Sequence, residues 1–203
     1  MIGVAEWLMV GFGLGVLAVR RRSTAVTLAT GQALALAGIA IYQAHSLNEA
    51  LAAAALGVRA LALTALLVFL VSRTRETRPV RASVPPAVRC GIAVAMVLLL
   101  LWLVPIENKS RMGITQVSLA LVAFGMVMAA TRRATLFQIL GIIFIENGLA
   151  LAALGLTNGS SLIIELGVTL DLSLIAVVAS VFHDRIFAEF GAGDISMLSD
   201  LRD

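Results

Sequence analysis

Seven runs of apolar residues, each about as long as a bilayer is thick, follow one another along the chain. They cover about 2–19, 24–44, 50–71, 88–104, 113–130, 135–156 and 162–182, with short polar joints between them. A helix rising about 1.5 Å per residue crosses the hydrocarbon core with roughly 20 such residues. In lipid the backbone amides must be satisfied within the helix itself. The pattern predicts an all-α, polytopic membrane bundle of about seven transmembrane helices. Composition agrees, with 60% of residues hydrophobic and 13% charged, against roughly 45–50% apolar in soluble domains.

The same arithmetic excludes several function classes. No separate soluble domain fits beside seven spans. The formal charge of +3 comes from basic residues at helix ends rather than on a water-facing patch, so no nucleic acid partner is expected. Cys90 has no partner for a disulfide, and with His45 and His183 as the two histidines the chain is expected to hold no metal or cofactor of its own. The first apolar run precedes Arg20, Arg21 and Arg22 rather than following a basic segment. That is the reverse of a secretory signal, and a retained helix is expected.

Charge sets the expected topology. The joints on one side carry Arg20–Arg22, Arg73, Arg75, Arg78, Arg81, Arg89, Arg132, Arg133, Arg185 and Arg202, while the other side carries Lys109 and Arg111. Positive loops stay in the cytoplasm, so the N-terminus is expected outside and the C-terminus inside a prokaryotic inner membrane. Pro79, Pro85 and Pro86 among the arginines make Ser72 to Ala87 a cytoplasmic linker. The chain divides into an N-terminal three-helix unit with its linker (1–87), a connecting helix and outer loop (88–112), a second three-helix unit (113–182) and a cytoplasmic tail (183–203). Arg21-Arg22-Ser23-Thr24 recurs as Arg132-Arg133-Ala134-Thr135, and Leu56-Gly57-Val58 as Leu166-Gly167-Val168. Spans 1–3 and 5–7 therefore read as parallel repeats.

Four charged residues away from the span ends are singled out, since at depth each costs about 2.5–3.5 kcal/mol on insertion scales and calls for a partner, a cavity or a function. Glu146 and Asp171 lie at mid-membrane, Glu165 nearer the outer face, and Arg59 within the third span is the one intramembrane cation expected. One arginine cannot lock three acids, and the excess suits proton exchange. Gln138, Asn147 and Thr169 are possible polar relay steps, and His183 sits at the inner mouth of the last span. Gln32 and Gln116 are weaker polar candidates. Gly141 and Gly148 share a face of the sixth span and should admit a neighbouring helix closely. No P-loop, dinucleotide fingerprint, nucleophile elbow or paired metal histidines occur, so no catalytic residue is assigned.

The run Arg132-Arg133, Leu136-Phe137-Gln138-Ile139-Leu140-Gly141, Glu146-Asn147-Gly148, then Glu165-Leu166-Gly167-Val168 and Asp171 resembles the membrane subunit called hydrogenase-4 component E. The tail from Asp194-Ile195-Ser196 to Leu201-Arg202-Asp203 is similar to that family's ending. Residues 113–182 more distantly resemble the three-helix K subunit of respiratory complex I. The resemblance is strongest over 113–203. It implies a subunit in the membrane arm of a complex-I-like group 4 nickel-iron hydrogenase or formate hydrogenlyase-type complex, beside antiporter-like subunits and under a cytoplasmic redox arm. Nickel-iron and iron-sulfur centres would belong to those partners. Glu146 and Asp171 match acids of the family's presumed proton pathway, Glu165 an accompanying acid, and Arg59 a position where relatives tend to carry lysine. Arginine does not release its proton there, and Glu146 is displaced about one turn from the glutamate of the complex I subunit. Two alternatives stand beside this expectation. One is a subunit of a multisubunit cation/proton antiporter without a redox arm, and the other a structural scaffold within the membrane arm.

Overall fold

The computed structural model describes residues 2–74, 84–104 and 112–156. They form α1 (Ile2–Ala18), α2 (Arg22–Gln43), α3 (Leu47–Thr74), α4 (Pro86–Leu103), α5 (Met112–Thr131) and α6 (Thr135–Leu156). Each coincides with one of the first six apolar runs, and α3 extends about three residues beyond its run at both ends. The expected seventh span, 162–182, lies outside the described residues, and with it the last third of the second copy of the expected repeat. Five helices, α2 to α6, are long and apolar enough to cross a membrane, and α1 is a shorter apolar helix. This is an all-α, multi-pass membrane protein.

Local chemistry fixes the helix starts. Ser46 accepts the Glu49 amide at 3.3 Å, and the Glu49 carboxylate accepts the His45 amide at 2.7 Å, a reciprocal cap that opens α3. Pro86 stands in the first turn of α4, where a missing N–H costs nothing. Thr27, Thr30 and Thr64 each return their hydroxyl to the carbonyl four residues back, satisfying themselves inside an apolar environment.

The helices alternate in direction. Gly15 and Gly31 meet Leu28 and Phe12, making α1 and α2 antiparallel; Thr30 meets Thr64, making α2 and α3 antiparallel. Gly113 packs against Glu6 and Gly13 against Phe124, so α1 and α5 run in the same direction. The most extensive contact is between α5 and α6, then α2 with α3 and α1 with α2; α4 leans on α5 and α1, and α2 also touches α6. Between helices in lipid, close packing rather than water release supplies the attraction. The α5–α6 seam shows it. A Cβ on Gly141 would stand 2.8 Å from the Gly125 carbonyl oxygen, and one on Gly148 would stand 2.8 Å from that of Ser118. The glycine face anticipated from Gly141 and Gly148 is therefore the face that receives α5. Phe137, Leu140, Phe144, Leu151, Leu121 and Met128 fill the interior around this seam. α4 is peripheral, with Leu98 and Trp102 turned outward.

Candidate functional site

Three helices deliver polar side chains to one level near the middle of the bundle. Glu146 and Asn147 fall halfway along α6, Gln32 halfway along α2, and Arg59 near the middle of the apolar part of α3. The Arg59 guanidinium is buried. Its Nη1 lies 3.9 Å from Glu146 Oε2, and its Nη2 donates to Asn147 Oδ1 at 2.8 Å. Asn147 in turn donates through Nδ2 to Gln32 Oε1 at 3.0 Å. Asn147 and Gln32 are both buried. The result is a chain of contacts from α6 to α3 and back across to α2.

Magnitudes say why the amide belongs to it. Opposite charges about 4 Å apart attract by roughly 4 kcal/mol at an effective dielectric constant of 20. Placing two charged groups at bilayer depth costs about 2.5–3.5 kcal/mol each. Ion pairing offsets only part of this, and the hydrogen bond from a charged donor to Asn147 contributes about 1.5–3 kcal/mol more. The side chain of Glu146 retains 15% exposure against 3% for Arg59, so the carboxyl stands at the edge of the network and the guanidinium at its centre.

A cavity of about 20 Å³ adjoins this network, lined by Arg59, Asn147, Thr30, Thr64, Leu63 and Ile143 among others. That is room for about one water molecule. Thr30 and Thr64 hydroxyls meet across it at 2.9 Å. The site can hold charge, hydrogen-bond a guest the size of water and pass a proton between oxygen atoms. Among the described residues no group of three His, Cys, Asp or Glu side chains is placed to hold a metal ion.

Of the residues singled out in the sequence, Glu146, Asn147 and Arg59 come together. Gln138 lies two turns earlier on α6, half-buried, and makes no side-chain hydrogen bond to a described residue. Asp171, Glu165, Thr169 and His183 fall outside the described residues. Gln32, ranked as a weak candidate, is a full member of the network, while Gln116 lines an apolar groove of about 290 Å³ between α1, α4 and α5. Thr30 and Thr64 were missed; two threonines at mid-span positions were the available signal. Glu6 was also missed. It is buried on α1, with Oε2 only 3.1 Å from where a Cβ on Gly113 would stand.

Two of the arginines expected at helix ends are there but are covered by protein: Arg89 is 0% and Arg132 2% exposed. Arg89 belongs to the first turn of α4. Arg132 is drawn in because α1 ends beside it: its Nη2 donates to the carbonyls of Leu17, at 3.3 Å, and of Val19. Its guanidinium also stacks 4.0 Å from the Phe137 ring centre. A cation closing the C-terminal end of a helix is favoured by the helix dipole. Burial, together with the positive charges of Arg89 and Arg20, pushes the Arg132 guanidinium down to about 10.

In sequence the chain is similar to an uncharacterized protein of Mycobacterium tuberculosis strain H37Rv, Rv0085. The two are 29% identical over 188 residues, covering 88% of this chain and 85% of the relative. No family model matches the chain, and no solved structure matches it.

Proposed function

We propose that this chain is a non-catalytic membrane-arm subunit of a complex-I-like, group 4 hydrogenase-type complex, in which buried acids help couple electron transfer in a cytoplasmic arm to proton or sodium movement. The observation that carries the reading is the Glu146 carboxyl 3.9 Å from the Arg59 guanidinium halfway through an apolar bundle. A charged pair at that depth is costly to keep, and a carboxyl facing a fixed cation is suited to change its charge when a neighbour moves. The resemblance to hydrogenase-4 component E supplies the setting. In it the chain has seven spans, an outside N-terminus and a cytoplasmic tail in a prokaryotic cell membrane. Glu165 and Asp171 extend the acid series, and antiporter-like subunits lie alongside. Nickel-iron and iron-sulfur centres reside in the partners.

In the assembled complex, Glu146→Gln is expected to leave subunit composition and electron transfer intact while ion movement per electron falls. Full ion pumping by that variant would refute the role of Glu146. A scaffold reading has its own support in the Arg59–Asn147–Gln32 hydrogen bonds, which tie α2, α3 and α6 together. Scaffolding predicts loss of assembly, or no effect, and never loss of coupling alone. The antiporter alternative is separated by the purified complex itself, since nickel and an iron-sulfur chromophore belong only to the hydrogenase.

A further inference from the structure

One end of the bundle gathers the close of α1, the start of α4 and the turn between α5 and α6. Arg20, Arg89 and Arg132 meet there, near enough that the charges of Arg20 and Arg89 both act on Arg132. Arg20 is exposed, whereas Arg89 and Arg132 are buried. Among the described residues, the Nε, Nη1 and Nη2 atoms of Arg89 and the Nε and Nη1 atoms of Arg132 have no hydrogen-bond partner. Buried donors without acceptors are strongly disfavoured, and charged ones most of all. Three like charges drawn together add repulsion. The described residues place no carboxylate in an ion pair with any of them.

We propose that Arg89 and Arg132, with Arg20 at the mouth, form a binding site for a phosphate group, supplied by an anionic phospholipid headgroup or by free phosphate. The donor set decides the chemistry. A carboxylate brings one charge and two oxygens, whereas the two buried guanidiniums offer five unpartnered nitrogens in planar forks, the geometry that grips phosphate oxygens. The first turn of α4, an 18-residue helix, adds the positive end of its dipole and amides that lack intrahelical partners. Arg89 stands in that turn. Position agrees as well: these are the ends of membrane-spanning helices, the level at which lipid phosphates lie. An incoming phosphate meets Arg20 first, and Arg89 turns towards it by side-chain rotation.

The test uses the full chain, delipidated in mild detergent. Phosphatidylglycerol, phosphatidylcholine and inorganic phosphate are titrated separately, with native mass spectrometry and the thermal midpoint as readouts. Phosphatidylglycerol is expected to bind at least about ten-fold more tightly than phosphatidylcholine, as one added charge-assisted hydrogen bond provides, and Arg89→Gln to remove most of that preference. If inorganic phosphate alone raises the midpoint in the native protein and not in Arg89→Gln, the source is the free ion and the site stands. Equal binding of both lipids with no phosphate effect overturns it, as does an undiminished preference in Arg89→Gln. Should Arg89→Gln fail to fold, Arg20→Gln, at an exposed position, must weaken phosphatidylglycerol or phosphate binding; unchanged affinity there also overturns the site.

Discussion

Arg59 divides its guanidinium between two consecutive residues of α6, donating to Asn147 at 2.8 Å and facing Glu146 at 3.9 Å. The amide holds the cation in place, and the carboxyl receives its field. Separating these two duties, position and charge, is the basis for the experiments that follow.

Removing Arg59 should cost more than removing both charges. Arg59→Leu leaves a carboxyl at mid-bundle without its cation and takes the donor from Asn147, an expected loss of about 3–5 kcal/mol. The double variant Arg59→Leu/Glu146→Leu should recover part of it, because neither charge is then stranded. Thermal unfolding in detergent measures the cycle; a double variant no better than Arg59→Leu would show the pair to be uncoupled.

Asn147→Leu should act differently. It leaves the Arg59 and Glu146 charges in place and removes the hydrogen bonds to Arg59 and Gln32. A loss of about 1–3 kcal/mol is expected from the groups left unsatisfied, and electron-coupled ion movement should fall along with helix stability. Unchanged stability would mean that the amide does not anchor the guanidinium.

The α5–α6 seam should be the least tolerant packing surface. Gly141→Val places carbon against the Gly125 carbonyl oxygen and the Ala129 nitrogen, at 2.8 and 2.9 Å from the first added atom. Both are backbone atoms that cannot turn aside, so overpacking should cost at least about 1–3 kcal/mol. Gly38→Ala, whose added carbon meets nothing within 4 Å, should be neutral or stabilising by roughly 0.4–1 kcal/mol. The thermal midpoint of Gly141→Val should therefore fall while that of Gly38→Ala holds or rises.

Arg132 gives a pH signature. Its folded value of about 10 lies well below the ordinary arginine value, so its charge opposes folding while it is present. Below pH 10 the group is charged in folded and unfolded chains alike and the penalty is constant. From pH 10 upward the folded chain sheds the proton first, and the penalty fades. The difference in midpoint between the native protein and Arg132→Gln should stay flat from pH 6 to 9 and shift in favour of the native protein above pH 10. A slope between pH 6 and 9 would count against this assignment.

Hydropathy made six helices legible, because lipid rewards only continuous apolar helices and the charged joints mark their ends. Depth along the chain also brought out Arg59 and Glu146. Rotation about the helix axis was not legible: whether Gln32 faces α6 or lipid depends on packing against α3 and α1, which the apolar runs, nearly uniform around their circumference, do not encode. Nor was the reach of an arginine. Arg89 and Arg132 read as helix-end charges, and position at a helix end says nothing of a side chain long enough to fold back under a neighbouring helix end. Glu6 escaped notice for the opposite reason, as a single acid near a helix start passes for an interfacial one.

The glycine seam has a mechanical corollary. With backbone against backbone at Gly125, Gly141 and Gly148, α5 and α6 form one stiff strut, and the carboxyl at position 146 rides on it as on a fixed electrode. On the proposed function, a rearrangement that accompanies a change in its charge falls to the α2–α3 hairpin, which touches α6 far less than α5 does.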